Sequence, residues 1–293
     1  MLNRIFSLLD AQWLIHRETV ISYLPVFISF LNGHEIILEE GSSQKPYFIK
    51  TKAQDEINIS DSGNLDDPDI PVNSIAVIPI DGVLVSWKTM QLVQNIRMAS
   101  DNPNICAVVF LVNSPGGMVF YTDITAQTIK DLQKPSVSVI FNCAASAAMW
   151  LISATDYRIA TSQMDRIGSI GVKTSVMDLT GLLKDKLGIS VFEIYASLST
   201  KKDFQYRELL KDPSNPQPII DELDQTNAIF QQAIIDNLGI SKDSEVFSGD
   251  IYGAKQAIQL GLINEINTME YAIQYAYNLG LASVIKSNFQ FIN

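Results

Sequence analysis

The sequence predicts an α/β fold built on a parallel sheet. From residue 75 onward, short apolar runs alternate with stretches of helical periodicity. The runs at 75–80, 105–112 and 136–142 are apolar without alternation, which is typical of strands that crossover helices cover on both faces. Breaks such as Asp81-Gly82 and Lys134-Pro135 separate the elements. We therefore expect one main layered core.

The remaining elements are predicted from periodicity in chain order. Further strands are expected over 157–161 and 191–195, and helices over 89–100, 121–133, 145–154, 175–187, 218–238 and 252–260.

Four segments are expected along the chain. Residues 1–40 are predicted to form an N-terminal helical segment that docks on the core or on a partner. Residues 41–74 are rich in Ser, Asp, Asn and Pro, which predicts a flexible linker or flap. Residues 75–275 form the predicted core, and residues 276–293 a C-terminal tail.

Composition excludes several classes of protein. The 293 residues are 47% hydrophobic and 18% charged, which rules out a disordered chain. Lys and Arg number 21 against 32 Asp and Glu, so the net charge of −11 makes nucleic acid an unfavourable partner. Cys106 and Cys143 have no CxxC spacing, so no metal site is expected. Two cysteines fit a reducing compartment, which predicts a cytoplasmic location, although one disulfide stays possible.

The best candidate for a membrane segment is the apolar run at 20–31. This run contains Pro25 and is far shorter than the roughly 20 residues needed to span a bilayer. No transmembrane segment is therefore expected. The roles left open for the N-terminal segment are a regulator, a peripheral contact with a membrane surface and a partner-binding arm.

A glycine pair follows the buried run at 105–112, in the turn Asn-Ser-Pro-Gly-Gly at 113–117. Gly116 and Gly117 free the backbone for positive φ and let amide groups face a ligand such as an oxyanion. A tight turn that simply needs glycine would have the same sequence.

A single hydroxyl stands out at 143–150, in the sequence CAASAAMW. Ser146 lies between paired alanines at or near the N-terminus of a predicted helix, where backbone amides and the helix dipole stabilise negative charge. Ser146 is thus a candidate nucleophile. Serine at such a junction is more often an N-cap, which is the alternative.

The histidines decide which base a serine nucleophile could use. Both of them, His16 and His34, precede the core, so a Ser-His-Asp triad cannot form within it. A histidine reaching in from the N-terminal segment stays conceivable, whereas a Ser-Lys dyad needs only a lysine shielded from water. Burial is the main way to lower the pKa of a lysine from about 10.4 toward neutrality.

Three motifs in this order and spacing resemble the signal peptide peptidase A family, the S49 serine peptidases, in its short bacterial and prophage form. They are NSPGG at 113–117, AASAAMW at 144–150 and IGSIGV at 167–172. The resemblance runs from about residue 75 to residue 266 and implies a ClpP/crotonase-like spiral of ββα units without a cofactor.

The resemblance also implies roles for individual residues. Ser146 would be the nucleophile, and the amides of Gly116, Gly117 and Ala147 would form the oxyanion hole. Ser169, in the GSIG motif, would orient the catalytic lysine.

The lysine is the least regular part of the pattern. Family members place it after a strand, often preceded by glycine, and the stretch IYASLSTKKD at 194–203 lacks that glycine and is slightly longer. Lys202 is predicted to be the base, because its position before Asp203 resembles the Lys-Asp pair of several members, while Lys201 stays a competitor. Members form closed rings, and in some the serine and lysine come from neighbouring subunits, so a homo-oligomer is expected.

The sequence therefore predicts a Ser-Lys endopeptidase that cleaves peptides or unfolded, apolar segments of proteins by acyl transfer. Met149, Trp150, Val119 and Phe120 are expected to line its pocket. Two other functions stay open: a crotonase-fold acyl-CoA enzyme, for which Asp123 is the only nearby acid, and an inactive member that serves assembly alone.

Overall fold

The computed structural model of the chain describes residues 13–15, 45–51, 57–60, 63–176, 181, 184–185, 188, 190 and 192–290. The strands are β1 Trp13–Ile15, β2 Tyr47–Thr51, β3 Ile57–Ser60, β4 Ser74–Asp81, β5 Ile105–Ser114, β6 Gly116–Met118, β7 Ser136–Ala145, β8 Tyr157–Ala160, β9 Arg166–Gly168, β10 Ile251–Gly253 and β11 Glu265–Ile266. The helices are α1 Ser86–Asp101, α2 Thr122–Lys130, α3 Ala147–Ser153, α4 Phe204–Lys211, α5 Gln217–Leu238, α6 Ala254–Gln259 and α7 Met269–Gln290, with a 3-10 turn at Glu245–Ser248.

The main sheet has the strand order β10-β9-β7-β5-β4-β2-β3, with β8 beside β7 and β11 beside β8. Strands β4, β5, β7 and β8 are parallel. A strand, a second short β element and a helix recur along the chain: β5, β6 and α2 form one such unit. In another, β4 is followed by an isolated bridge from Leu84 to Gly117 and then by α1. This topology confirms the predicted α/β class and its ββα units.

Successive residues of β5 point into two separate cores. Phe110 and Val112 pack in the larger core, which α1, α3 and α5 cover, whereas Val109 packs in a second core against Ala276 of α7. Gly280 lets α7 approach this face closely, because a Cβ there would lie 2.8 Å from the carbonyl oxygen of Cys106. Burial of both faces explains why the strand sequences lack polar alternation.

The predicted strand at 191–195 is wrong over the residues that the structure describes. Phe192–Tyr195 has no regular secondary structure, and Phe192 and Ile194 are 83% and 92% exposed. Alternating apolar residues are typical of a strand, but within the described part of the chain no neighbouring strand pairs with this segment. The predicted helix at 175–187 falls largely outside the described residues.

The linker or flap expected at 41–74 also differs from the structure where residues are described. Strand β2 pairs with the edge of β4, and β3 pairs with β2. Leu65 and Ile70 are buried in the larger core. The polar residues around them make turns that pack: the Asn102 side chain donates hydrogen bonds to the carbonyl oxygens of Leu65 and Asp67, each at 3.0 Å.

The two ends of the chain differ as well. Helix α7 runs through residues 276–290, so these residues are not a tail. Within residues 1–40 the structure describes Trp13–Ile15, which form strand β1 rather than a helix; the rest of that segment lies outside the described residues. No described helix is both long enough and apolar enough to cross a membrane.

If residues 63–74 belong to the core, truncating Leu65 should destabilise the fold. We expect Leu65→Ala to lower the free energy of unfolding by about 2–5 kcal/mol, because it leaves a cavity. Val72→Ala is the matched control, since Val72 is 69% exposed and its truncation should change stability by less than about 0.5 kcal/mol. Denaturant unfolding measures both. Equal losses in the two variants would contradict this packing.

Candidate active site

The NSPGG turn and Ser146 lie together at the carboxyl edge of the sheet. Because β5 and β7 are parallel neighbours, their C-terminal ends lie side by side, with Ser114 paired to Ala144. Strand β6 continues from β5 and contacts α3, which continues from β7. The sheet therefore brings these two predicted motifs to one place.

The backbone of Ser146 has a conformation that serine rarely adopts. Its φ of 55° and ψ of −119° form a sharp turn between β7 and α3. The Ser146 N–H donates to the Gly168 carbonyl oxygen at 2.8 Å, and the Ser146 carbonyl oxygen accepts the Trp150 N–H at 3.0 Å. Ser146 occupies the N-cap position of α3, but its side chain makes no capping hydrogen bond, so the hydroxyl does not serve as a helix cap. A strained turn from strand to helix is the geometry that presents the nucleophilic serine in α/β-hydrolases.

A bulge in β7 redirects the chain just before Ser146. Between the pairs Val112↔Ile140 and Ser114↔Ala144, β5 advances by two residues while β7 advances by four. Strand β7 pairs with β8 before the bulge and with β9 after it. Asn142 lies within the bulge at a φ of 74°. The bulge thus moves the end of β7 from one neighbouring strand to the other.

The carboxylate of Asp165 fixes this bulge. Asp165 is 2% exposed, and its Oδ1 accepts the Asn142 N–H at 2.7 Å. Its Oδ2 accepts the N–H groups of Thr161 and Ser162, each at 2.9 Å. One side chain therefore joins the bulge to the loop between β8 and β9. The sequence gives no sign of this role, because the partners are backbone N–H groups that almost every residue has.

Gly117 is required by its distance from Leu84. A Cβ at Gly117 would lie 1.9 Å from the Leu84 carbonyl oxygen, so no other residue fits without moving the backbone. The Gly116 N–H donates to Ser114 Oγ at 3.2 Å, and that hydroxyl donates to the Gly82 carbonyl oxygen at 2.7 Å. The oxyanion role predicted for Gly116 does not fit, since its amide is already used within the turn.

The amide of Ala147 stays a predicted donor to the oxyanion. Ala147 is the first residue of α3, and the first amides of a helix have no partner within the helix. The candidate donors to an oxyanion are therefore the amides of Gly117 and Ala147.

The predicted base has no hydrogen bond to Ser146 in the described part of the chain. Lys201, Lys202 and Asp203 are exposed in a turn before α4. The Lys201 ammonium lies 4.2 Å from the centre of the Phe204 ring. Among the hydrogen bonds of the described residues, none joins either lysine to Ser146. Ser169 has a φ of 54° and donates its N–H to the Asp250 carbonyl oxygen at 2.6 Å, without a hydrogen bond to either lysine.

Two of the predicted pocket residues belong to the core instead. Met149 and Trp150 are buried, and the Trp150 ring stacks on Phe230 with ring centres 4.8 Å apart. Both lie on α3, whose residues are buried all round, so bulky side chains next to Ser146 need not face a pocket. Val119 is partly buried against the same core, and Phe120 is 57% exposed.

The fold and the serine turn define an α/β protein with a strained serine between a buried strand and a buried helix. The chain matches the sequence model of Peptidase family S49 over residues 128–282, and it belongs to this family.

Its relatives include proteins named as proteases and a phage protein. Protease 4 of Haemophilus influenzae is 27% identical over 223 residues, which cover 71% of this chain and 35% of the relative. The head-tail preconnector protein of Enterobacteria phage P21 is 28% identical over 231 residues, covering 74% and 44%. The chloroplastic serine protease SPPA of Arabidopsis thaliana is 28% identical over 196 residues, covering 64% and 28%. The chain spans less than half the length of each of these three.

Solved structures with a similar fold include an enoyl-CoA hydratase/isomerase family member. That crystal structure matches with a TM-score of 0.43 and 14% identity over 74% of both chains.

Asp165→Asn should impair the presentation of Ser146 more than it impairs folding. The amide nitrogen of asparagine cannot accept the backbone N–H groups that a carboxylate oxygen accepts, so the bulge should relax. We expect Ser146 to react with a fluorophosphonate probe at least about tenfold more slowly, and stability to fall by about 1–3 kcal/mol.

Asp156→Asn is the matched control for this change. Asp156 Oδ2 accepts hydrogen bonds from the N–H and the hydroxyl of Ser136, at 2.8 and 2.9 Å, at the opposite end of β7. This variant should lose stability yet keep its labelling rate. Equal labelling rates in the two variants would show that Asp165 has no specific effect on the nucleophile.

Proposed function

We propose that the chain is a serine peptidase that cleaves peptides or unfolded, apolar protein segments through Ser146. The observation that carries the proposal is the strained backbone of Ser146, whose side chain makes no capping hydrogen bond. Ser146 directly precedes α3, the helix that contacts the strand of Gly116 and Gly117. Membership of Peptidase family S49 and relatives that are named proteases support it.

The proposed reaction is acyl transfer in two stages. Ser146 Oγ attacks the carbonyl carbon of the scissile bond while its proton passes to Lys202 Nζ, and the amides of Gly117 and Ala147 bind the resulting oxyanion. The tetrahedral intermediate then breaks its C–N bond, and the leaving amine takes the proton from the lysine. Water hydrolyses the ester by the same route and releases Ser146.

A second copy of the chain would supply what a single chain lacks around the lysine. A lysine acts as a base near neutral pH only when it is shielded from water, and Lys202 is exposed in one chain. The stretch before it carries three apolar side chains, Phe192, Ile194 and Leu198, which are 83%, 92% and 96% exposed. Docking this stretch on a second copy would bury these side chains and bring Lys202 into a dry site next to the partner's nucleophile.

The acyl-CoA alternative has less support. Its only candidate acid, Asp123, is exposed in the first turn of α2. A catalytic carboxylate for that chemistry would have to face the carbonyl group held by the glycine turn.

Ser146→Ala should abolish labelling by a fluorophosphonate probe and cleavage of an unfolded protein substrate, because the attacking oxygen is lost. Thermal unfolding should change little, since one hydroxyl is removed without a hydrogen-bonded partner left behind. Ser153→Ala, at the C-terminal end of α3, is the control: Ser153 is also buried, and its hydroxyl donates to the Trp150 carbonyl oxygen, so this variant should still be labelled. Labelling of the Ser146→Ala protein at the wild-type rate would refute the mechanism.

Lys202→Ala should remove activity, whereas Lys201→Ala should leave it largely intact. A mixture of the Lys202→Ala and Ser146→Ala proteins, refolded together, should regain activity if each site combines residues of two copies. In a random one-to-one mixture about a quarter of such sites contain both groups. Cleavage rate measures the recovery.

Three results would count against this arrangement. An inactive Lys201→Ala with an active Lys202→Ala would move the base by one residue. Two active lysine variants would remove the dyad. A mixture that stays inactive would place both groups in one chain.

A further inference from the structure

Strand β1 occupies one side of the glycine turn. It pairs antiparallel with β6 in the register Trp13↔Met118, Leu14↔Gly117 and Ile15↔Gly116. The other side of β6 is bonded to Leu84. Both sides of β6 are therefore filled, one by the core and one by a segment from the beginning of the chain.

The hydrogen bonds of Leu84 show which way Gly117 points. The Leu84 N–H donates to the Gly116 carbonyl oxygen at 2.9 Å, and the Met118 N–H donates to the Leu84 carbonyl oxygen at 2.7 Å. Polar groups of successive residues in a strand point to opposite sides, so the N–H and C=O of Gly117 point away from Leu84. They face Leu14, the residue opposite Gly117 in the register. The amide proposed to bind the oxyanion is thus directed at the backbone of β1.

We propose that strand Trp13–Ile15 is an internal inhibitor that takes the place of an extended peptide substrate on β6 and withholds the Gly117 amide from the reaction. The proposal rests on the proposed function, because it assigns the occupied edge of β6 to the substrate. A peptide that adds an antiparallel strand to this edge would need the same backbone groups. The sequence Trp-Leu-Ile is apolar, as the proposed substrates are.

The pairing is short enough to be reversible. It involves three residues on each strand, and an isolated two-stranded pairing is marginally stable in water. The strand is nevertheless part of the same chain, and 29 residues lie between Ile15 and Lys45. A tethered strand competes at a high effective concentration, so a dilute peptide substrate would rarely displace it. Activity would then require an event that draws the strand away or cuts it.

A reversible lock on β1 tests this inference in the full-length chain. If Leu14 and Gly117 are the hydrogen-bonded pair, Trp13 and Met118 form the adjacent non-bonded pair, with Cα atoms about 4.5 Å apart, which suits a disulfide. The double variant Trp13→Cys/Met118→Cys should form this disulfide on oxidation. Fluorophosphonate labelling of Ser146 should then be at least about tenfold slower in the oxidised protein than in the same protein after reduction.

Two controls accompany the lock. Met118→Cys alone should be labelled at the same rate with and without reductant, because its new thiol should form no disulfide with a native cysteine. Burial raises the pKa of both native thiols, Cys106 and Cys143, to about 11, which makes them slow to react. Leu14→Pro removes the N–H of residue 14 and should speed labelling relative to wild type, by about tenfold if the strand is in place nine-tenths of the time. Leu14→Ala keeps that N–H and should resemble wild type.

The outcomes separate this inference from the proposed function. Equal labelling of the oxidised and reduced double variant, or failure of its disulfide to form, would overturn the inhibitory strand while leaving the peptidase proposal in place. Slower labelling of Leu14→Pro than of wild type would also overturn it, because β1 would then support the site. Absence of labelling at Ser146 in every protein and state would reject the peptidase proposal, and the inhibitory strand with it.

Discussion

The candidate site depends on one constraint: Ser146 must keep a strained backbone conformation with positive φ at the end of a buried strand. Such a conformation costs of order 1–3 kcal/mol for a residue other than glycine, so the surrounding structure has to impose it. Here the Gly168 carbonyl oxygen accepts the Ser146 N–H, and Asp165 holds the bulge four residues upstream. Both contacts come from the segment around β9, so the pairing of β7 with β9 is what orients the serine.

The parallel sheet supplies the rest of the geometry. Because β5 and β7 end at one edge, the glycine turn that follows β5 and the helix that follows β7 are placed next to each other. Helix α3 is buried on all sides, which gives the amides of its first turn a fixed direction. Burial of Met149 and Trp150 therefore serves the rigidity of the site rather than the shape of a pocket.

The sequence predicts those parts of the site in which the residue type itself is required. Gly117 has no substitute beside Leu84, and Ser146 is the hydroxyl at the junction, so both can be recognised without a structure. Asp165 could not be recognised, because it acts on backbone groups. Strands β2 and β3 and the buried residues Leu65 and Ile70 cannot be recognised in the sequence, because polar turn residues surround them. The segment at 192–195 resembles a strand in sequence, although no strand in the described part of one chain pairs with it.

The central claim is that Ser146 attacks a carbonyl carbon whose oxygen is bound by the amides of Gly117 and Ala147. A crystal structure of the fluorophosphonate adduct tests it most directly. The account predicts phosphorus bonded to Ser146 Oγ, with the phosphonyl oxygen about 3 Å from both amide nitrogens and strand β1 displaced from β6. Phosphorus on another residue, or a phosphonyl oxygen that contacts neither amide, would contradict it.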